Sequence, residues 1–417
     1  MATAGLLRIA ARNLRRNLRR TLITGFAISG GLGLMIWTDN LSEGTYSGLI
    51  RRGVSEQAGH VVIQADGYQS DPDMHRLVEG AHAVEQTVEQ AVRTVAPDAR
   101  VVSRVTVQGL LQSARNTSGV ALLGIDPEQE ATISTWHQKV VEGGEWLTKG
   151  DDRSVILGEK LAETLEVEPG DKVVLMAQGE DEVVSRLFRV RGLLRTGVAG
   201  IDGFMALTTL GAAQGALERE DAATMVTVHL SDPTMVPLAV STISAAVPTD
   251  RLEVLPWQEA LPEMYQFTVM DRNSARAMFF VIGVIVAMGV LNTVLMSVME
   301  RVREFGVMLA LGTRPSQVFR VILLEGVLLG AIGALFGLLM GALATWPAMT
   351  YGIDYAAMMG DNVDVGGVTV DAIVYSKWNW PGTAAFCLMA WLMTILSTVW
   401  PAWHAARLEP VQAMRRT

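Results

Sequence analysis

The sequence predicts an α-helical membrane protein with four transmembrane helices and a large extracytoplasmic α+β domain inserted between helices 1 and 2. Three observations carry that expectation. Four stretches are long and apolar enough to cross about 30 Å of hydrocarbon, which takes roughly 20 residues of helix. Arginine collects in the short flanks that the resulting topology places on one side. Between the first and second stretches lies a long polar region with the alternation and turn chemistry of a folded domain. Half of the 417 residues are hydrophobic and only 18% are charged, a low charge fraction for a soluble protein.

Residues 1–20 are expected to form a cytoplasmic amphipathic Arg-rich helix. Arg8, Arg12, Arg15, Arg16, Arg19 and Arg20 lie there with no acid among them, and Leu7, Leu14 and Leu18 recur at roughly helical spacing. Such a helix suits the surface of an anionic membrane, and the same charges set topology. Transmembrane helix 1 is placed at 21–40, where Thr21 to Thr38 carries no charge. It is read as a retained anchor, because no small-residue cleavage site with a polar mature start follows.

Residues 41–270 are expected to fold outside the membrane. A strand and turn are predicted at 60–68, and Val84, Val88, Val92 and Val95 predict a helix over about 74–96, ending before Pro97. Strands follow at 100–111, 119–125, 185–193, 203–208 and 224–230. Glu168-Pro169-Gly170-Asp171 has the composition of a type II turn opening a strand at Val173. With one cysteine in the chain, Cys387, no intrachain disulfide can staple this domain.

The remaining elements are transmembrane helix 2 at 275–299, a cytoplasmic loop helix at 300–314, transmembrane helix 3 at 315–348, an outer loop at 349–380, transmembrane helix 4 at 381–402 and a cytoplasmic tail at 403–417. Arg301, Arg303, Arg314, Arg320, Arg407, Arg415 and Arg416 fall on the inner side. Asp354, Asp361, Asp364 and Asp371 face one Lys377 on the outer side.

Nothing in the chain has the spacing of a catalytic motif or a P-loop, so no catalytic residue, metal or resident cofactor is expected; His60 beside a strand is read as structural. The acidic middle of the chain argues against a nucleic-acid partner. On a helix, Glu300, Arg301, Arg303 and Glu304 cluster at spacings of three and four, with Phe305, Met308, Leu309 and Leu311 as apolar anchors. Two readings of this loop stand side by side: a helix gripped by a soluble partner, or a positively charged loop that caps two spans. Near the outer ends of the first two spans, Met35, Trp37, Phe267, Met270 and Met278 form a candidate apolar substrate cavity, as thioethers adapt to varied apolar surfaces. Gly25, Gly30, Gly31 and Gly33 permit close helix contact, a candidate dimer seam.

From Glu300 to Gln317 the chain resembles the E-R-x-R-E-F-G-x-x-x-A-x-G-x-x-x-x-Q motif of ABC transporter permeases of the MacB, LolC/LolE and FtsX type. Pro401, Ala405, Ala406, Pro410, Ala413 and Arg415 fit a second stretch of that family, and the segments GHVVIQADGY and GEKLAETLEVEPGDKV look similar too. The resemblance implies a coupling helix, with Glu300, Arg301, Arg303, Glu304, Phe305, Gly306, Leu309 and Gly312 engaging a cytoplasmic ABC ATPase subunit that binds the ATP. It also implies a MacB-like periplasmic core domain, a second permease copy or homologue, and residence in the bacterial inner membrane in contact with membrane lipid. The span order favours the LolC/LolE branch and a lipoprotein cargo. The residues after the first span, TDNLSEGTYSGLI, depart from the M-N-G-F common in that branch, which leaves MacB-like efflux and FtsX-like regulation of periplasmic enzymes as alternatives.

Overall fold

The structure is a computed structural model that describes residues 3–16, 18–71, 76–179, 182–197, 199–354, 364–365, 368–369 and 373–407. The expected tail residues Pro410, Ala413, Arg415 and Arg416, and the outer-loop residues Asp361 and Asp371, lie outside the described residues.

Two helices open the chain, α1 (Thr3–Arg16) and α2 (Leu18–Gly53), and a π-helical turn at Val54–Ala58 prolongs the second. There follow β1 (Val61–Ala65), β2 (Val78–Glu79), α3 (Ala81–Arg93), β3 (Arg100–Gln112), β4 (Thr117–Ile125), α4 (Pro127–Ile133), β5 (Ser154–Gly158), α5 (Glu159–Leu165), β6 (Lys172–Gln178) and β7 (Val183–Leu194). Next come α6 (Ala199–Phe204), β8 (Met205–Thr209), α7 (Leu210–Leu217), β9 (Ala222–Ala223), β10 (Met225–His229), α8 (Val236–Ala246), β11 (Leu252–Pro256) and α9 (Trp257–Ala260). The chain returns to long helices with α10 (Pro262–Glu300), α11 (Val302–Ala310) and α12 (Pro315–Thr350). Two short antiparallel pairs, β12 (Ile353–Asp354) with β15 (Ile373–Val374) and β13 (Asp364–Val365) with β14 (Val368–Thr369), precede α13 (Trp380–Ala406). Two compact units result: a helical one of Met1–Tyr46, Met270–Asp354 and Ile373–Thr417, and a sheet-bearing one of Ser47–Val269 and Tyr355–Ala372.

The sheet unit is built on nine strands in the order β11-β1-β10-β3-β4-β8-β5-β7-β6. Two pairs are parallel, β4 with β8 and β5 with β7, so the sheet is mixed. The long strand β3 does double service. Its first half, Arg100 to Arg104, pairs with β10, and its second half pairs with β4 while Gly109 to Gln112 also pair with β6, closing six strands into a ring. The alternating valines of the sequence fill the interior: Val88 and Val92 of α3 are fully buried against the sheet, as their spacing predicts. That helix starts later than its periodicity suggests. Gly80 takes the left-handed conformation at φ 64°, and Val78–Glu79 just before it is extended, paired with β9. The Glu168–Asp171 turn is present: Gly170 has φ 103° and the Asp171 amide donates to the Glu168 carbonyl at 3.1 Å.

In the helical unit α2, α10, α12 and α13 are each long and apolar enough to span a membrane. Their outward faces carry bare apolar side chains, among them Phe26, Ile285, Leu343 and Leu396. So much exposed hydrocarbon is costly in water and is what lipid covers. α12 presents Gly333, Gly337 and Gly341 along one side, and Ile28, Leu32 and Ile36 of α2 sit in the groove these glycines leave; a Cβ on Gly337 would come within 2.7 Å of Leu32. Gly31 and Gly33 are spent on packing inside this chain, against Val286 and Met340, whereas Gly25 and Gly30 face open space. At the far end Asn40, fully buried, donates to Thr345 Oγ1 at 3.3 Å and accepts from the Asn379 amide at 2.9 Å.

Candidate functional site

The loop between α10 and α12 owes its shape to the motif residues. Arg301 leaves helical geometry at φ −106° and ψ 10°, ending α10 and turning the chain into α11. Gly312, at φ 92°, ends α11: its amide donates to Leu309 O at 3.1 Å and that of Thr313 to Met308 O at 3.0 Å, the pair of bonds that closes a helix over a left-handed glycine. Pro315 then starts α12, and the Gln317 side chain reaches back to accept from the Arg314 amide at 3.2 Å. A glycine and a glutamine five residues apart thus terminate one helix and start the next.

Electrostatics fix α11 against its neighbours. Arg301 donates to Glu325 on α12 at 3.1 Å and to Glu304 at 3.2 Å, with its guanidinium 5.0 Å from the centre of the Phe305 ring. The amino-terminal helices reach the same cluster: Arg16 binds Glu304 at 2.7 Å, Arg20 binds Glu300 at 2.6 Å, and Asn13 donates to Glu325 at 2.6 Å. Burial would raise the Glu304 carboxyl, but the hydrogen bonds from Arg301 and Arg16 outweigh it and hold that group below its usual range. A small cavity of about 50 Å³ lies behind the helix, lined by Arg20, Thr24, Ser297, Arg301 and Glu325 among others.

The eight expected coupling residues do not share one face. Glu300, Arg303, Glu304 and Gly312 are exposed, and Arg301 and Leu309 are half-buried. Phe305 and Gly306 point inward. The Phe305 ring is 2% exposed and packs with Val298, Val318, Ile322, Ala402 and Ala405, so it is a core residue that seats α11 and not an outward anchor. The free apolar side chain is Leu311, 82% exposed, beside Val307 and Arg303. The sequence spacing carries this face: 303, 307 and 311 recur at intervals of four, while 302, 305, 306 and 309 form the inward stripe.

The expected substrate residues also divide. Met35 is buried, at 3% exposure, and lines no free surface; Trp37 is half-buried. Met270 and Met278 are exposed on α10 within the helical unit, and Phe267 is exposed on the part of that helix belonging to the sheet unit. Elsewhere, His60 behaves as a structural residue. Its Nδ1 accepts from the Leu230 amide at 3.0 Å, and burial lowers its pKa to about 4. No cluster of metal-ligating side chains occurs among the described residues.

Two family models match this chain. One, described as the MacB-like periplasmic core domain, covers residues 21–246, and the other, the FtsX-like permease C-terminal region, covers 276–410. Among curated relatives, the chain is 27% identical over 430 aligned positions to the lipoprotein-releasing system transmembrane protein LolC of Xylella fastidiosa strain Temecula1, with 98% of each chain covered. It is 24% identical to the LolE protein of the corresponding system in Haemophilus influenzae, over 74% of this chain and 76% of that one. A shorter match, 33% identical, joins 31% of this chain to 17% of the macrolide export ATP-binding/permease protein MacB of Sodalis glossinidius.

Proposed function

The chain belongs to the family of ABC permeases that join a MacB-like periplasmic core domain to an FtsX-like permease region, of the LolC/LolE type, and on that premise we propose that it releases acylated proteins from the inner membrane. The arginines of α1 and of the α10–α12 loop stay in the cytoplasm, and the sheet unit lies in the periplasm. A separate ATPase subunit binds and hydrolyses the nucleotide. Its closure grips α11 through Arg303, Val307 and Leu311, the charged and apolar side chains left exposed there. Because Phe305 and the Arg301–Glu325 pair fasten α11 to α12, a displaced α11 carries the spans with it, and α2 and α10 pass the motion on to the sheet unit. The permease performs no covalent chemistry.

The relatives and the exposed apolar side chains on α10 support this cargo. An acyl chain leaving the bilayer needs an apolar route, since each methylene transferred to water costs about 0.8 kcal/mol. Met270 and Met278 offer such a surface, and a second permease, identical or LolE-like, supplies the opposite wall. The observation that carries this reading is the end-to-end likeness to LolC.

Purification from gently solubilised membranes tests it. An ABC ATPase, a second permease and an acylated protein are expected in the preparation. A periplasmic adaptor with no acylated protein turns the reading toward efflux, and a cell-wall hydrolase turns it toward regulation.

A further inference from the structure

Among the described residues the largest fully buried side chain is a cation, Arg104, at the middle of the long strand β3. Its guanidinium is 1% exposed and its partner Glu130, on α4, is 2% exposed. Two parallel bonds join them, Nε to Oε2 at 3.1 Å and Nη2 to Oε1 at 2.8 Å. The three remaining N–H groups all point at one place, the π-helical turn that ends α2. Nη1 donates to the carbonyls of Glu56 at 3.1 Å and Gln57 at 2.8 Å, and Nη2 to that of Ser55 at 3.2 Å. All five donors of the guanidinium are used. The face of the Trp136 ring lies 5.5 Å away.

The final carbonyls of a helix have no partner within it and carry partial negative charge, so a buried cation there is doubly favoured. Around this contact the turn is held again. The Glu56 carboxylate accepts from Lys139 at 2.7 Å and from Thr135 at 2.8 Å, and the Gly59 amide closes the turn on Val54 O at 2.6 Å. The Arg104 backbone is equally fixed, because its carbonyl accepts from both the amide and the hydroxyl of Thr224. π-helical turns are rare and recur at functional positions. A buried ion pair is likewise a poor source of stability compared with apolar packing, which makes its rigidity the more telling property.

We propose that Arg104 and Glu130 form a mechanical joint: they fasten the end of α2, which from Ser47 onward belongs to the sheet unit, to the long strand β3 of that unit, so that displacement along α2 moves the unit as a rigid body. Arg104 is thus a positioning residue for transport, and this inference rests on the force-transmitting role proposed above. Lysine cannot replace it. An ammonium carries three donors on one nitrogen and reaches neither the two carboxylate oxygens nor three carbonyls at once.

The test uses the full complex with its ATPase and second permease, in nanodiscs. Arg104→Lys keeps the charge, and Arg104→Met with Glu130→Leu removes both charges and refills the volume, which protects the fold. Movement is followed by energy transfer between a dye on Lys160→Cys, in a Cys387→Ser background, and a dye on the ATPase. We expect both variants to assemble, Arg104→Lys melting lower than the double variant because it strands Glu130 and the turn carbonyls, and the double variant to keep ATP hydrolysis within twofold of the parent, while the nucleotide-driven change in transfer falls at least fivefold. An unchanged transfer signal in the double variant overturns the joint. Release of an acylated protein is measured in parallel: if the parent moves its sheet unit on ATP but releases none, the cargo reading fails and the joint stands.

Discussion

Arg301 and Glu325 stand 24 residues apart in sequence and 3.1 Å apart in space, and their ion pair ties the start of the loop helix to the third apolar helix. Both side chains are mostly shielded from solvent, 11% and 16% exposed, unlike the Arg16–Glu304 pair beside them. Removing the Glu325 charge leaves Arg301 mostly shielded and short of one partner, with Glu304 alone remaining, whereas exposed pairs contribute at most about 1 kcal/mol. Glu325→Gln is therefore expected to destabilise the solubilised permease by about 1–3 kcal/mol, and Arg16→Gln by less than about 1 kcal/mol. Thermal unfolding in detergent ranks the two, and equal losses would remove the distinction.

The inward and outward faces of α11 should separate two phenotypes. Phe305→Ala empties a site packed by three other helices, and truncating a buried aromatic costs about 3–5 kcal/mol, so less assembled permease is expected in the membrane. Leu311→Ala with Arg303→Glu should leave abundance intact and weaken ATPase copurification at least tenfold. Quantifying permease and ATPase in the same preparations checks both. The reverse pattern would mean that α11 is seated the other way round.

Gly337→Leu places a side chain where Leu32 already stands, with even the Cβ only 2.7 Å from that residue. Overpacking of this kind costs about 1–3 kcal/mol or more. Reduced assembly is expected, partly restored when Leu32→Ala is added to Gly337→Leu. The same leucine at Gly30, which faces open space, should be tolerated within this chain.

The sheet unit should lose stability in mild acid through His60. Its pKa falls from 6.5 to about 4 on burial, so the unfolded chain takes up a proton before the folded one does. The contribution is complete above pH 6.5 and is lost progressively as pH falls toward 4. His229, also pushed well below its ordinary value by burial, acts in the same direction. Melting of the isolated membrane protein between pH 7 and pH 5 should show the decline, and His60→Gln, which still offers Leu230 an acceptor, should flatten it.

Much of this architecture is written locally in the sequence. The hydrocarbon core demands runs of about 20 apolar residues, and a type II turn demands Glu168-Pro169-Gly170-Asp171 or something close to it. The valines of α3 and the alternation of β3 and β4 are equally local. The features with no local signal depend on partners distant along the chain. Phe305 reads as an exposed anchor until Ala402 and Ala405 arrive from the last helix to cover it. Arg16 and Arg20 read as topology signals, and only the fold brings them to Glu304 and Glu300 across more than 270 residues. The groove that receives α2 within the chain is cut into α12 by glycines four residues apart, Gly333, Gly337 and Gly341, and only the fold shows which helix fills it. Closure of β3 onto β6 and the burial of Arg104 leave no periodic mark at all.

One measurement addresses the central claim most directly: release of an acylated protein from proteoliposomes containing this permease, its ATPase and the second permease, scored with and without ATP. Release that requires ATP, requires the acyl chain and is abolished by Arg303→Glu with Leu311→Ala is the predicted result. ATP hydrolysis that proceeds normally while the acylated protein stays in the bilayer, with or without a periplasmic acceptor, would contradict it.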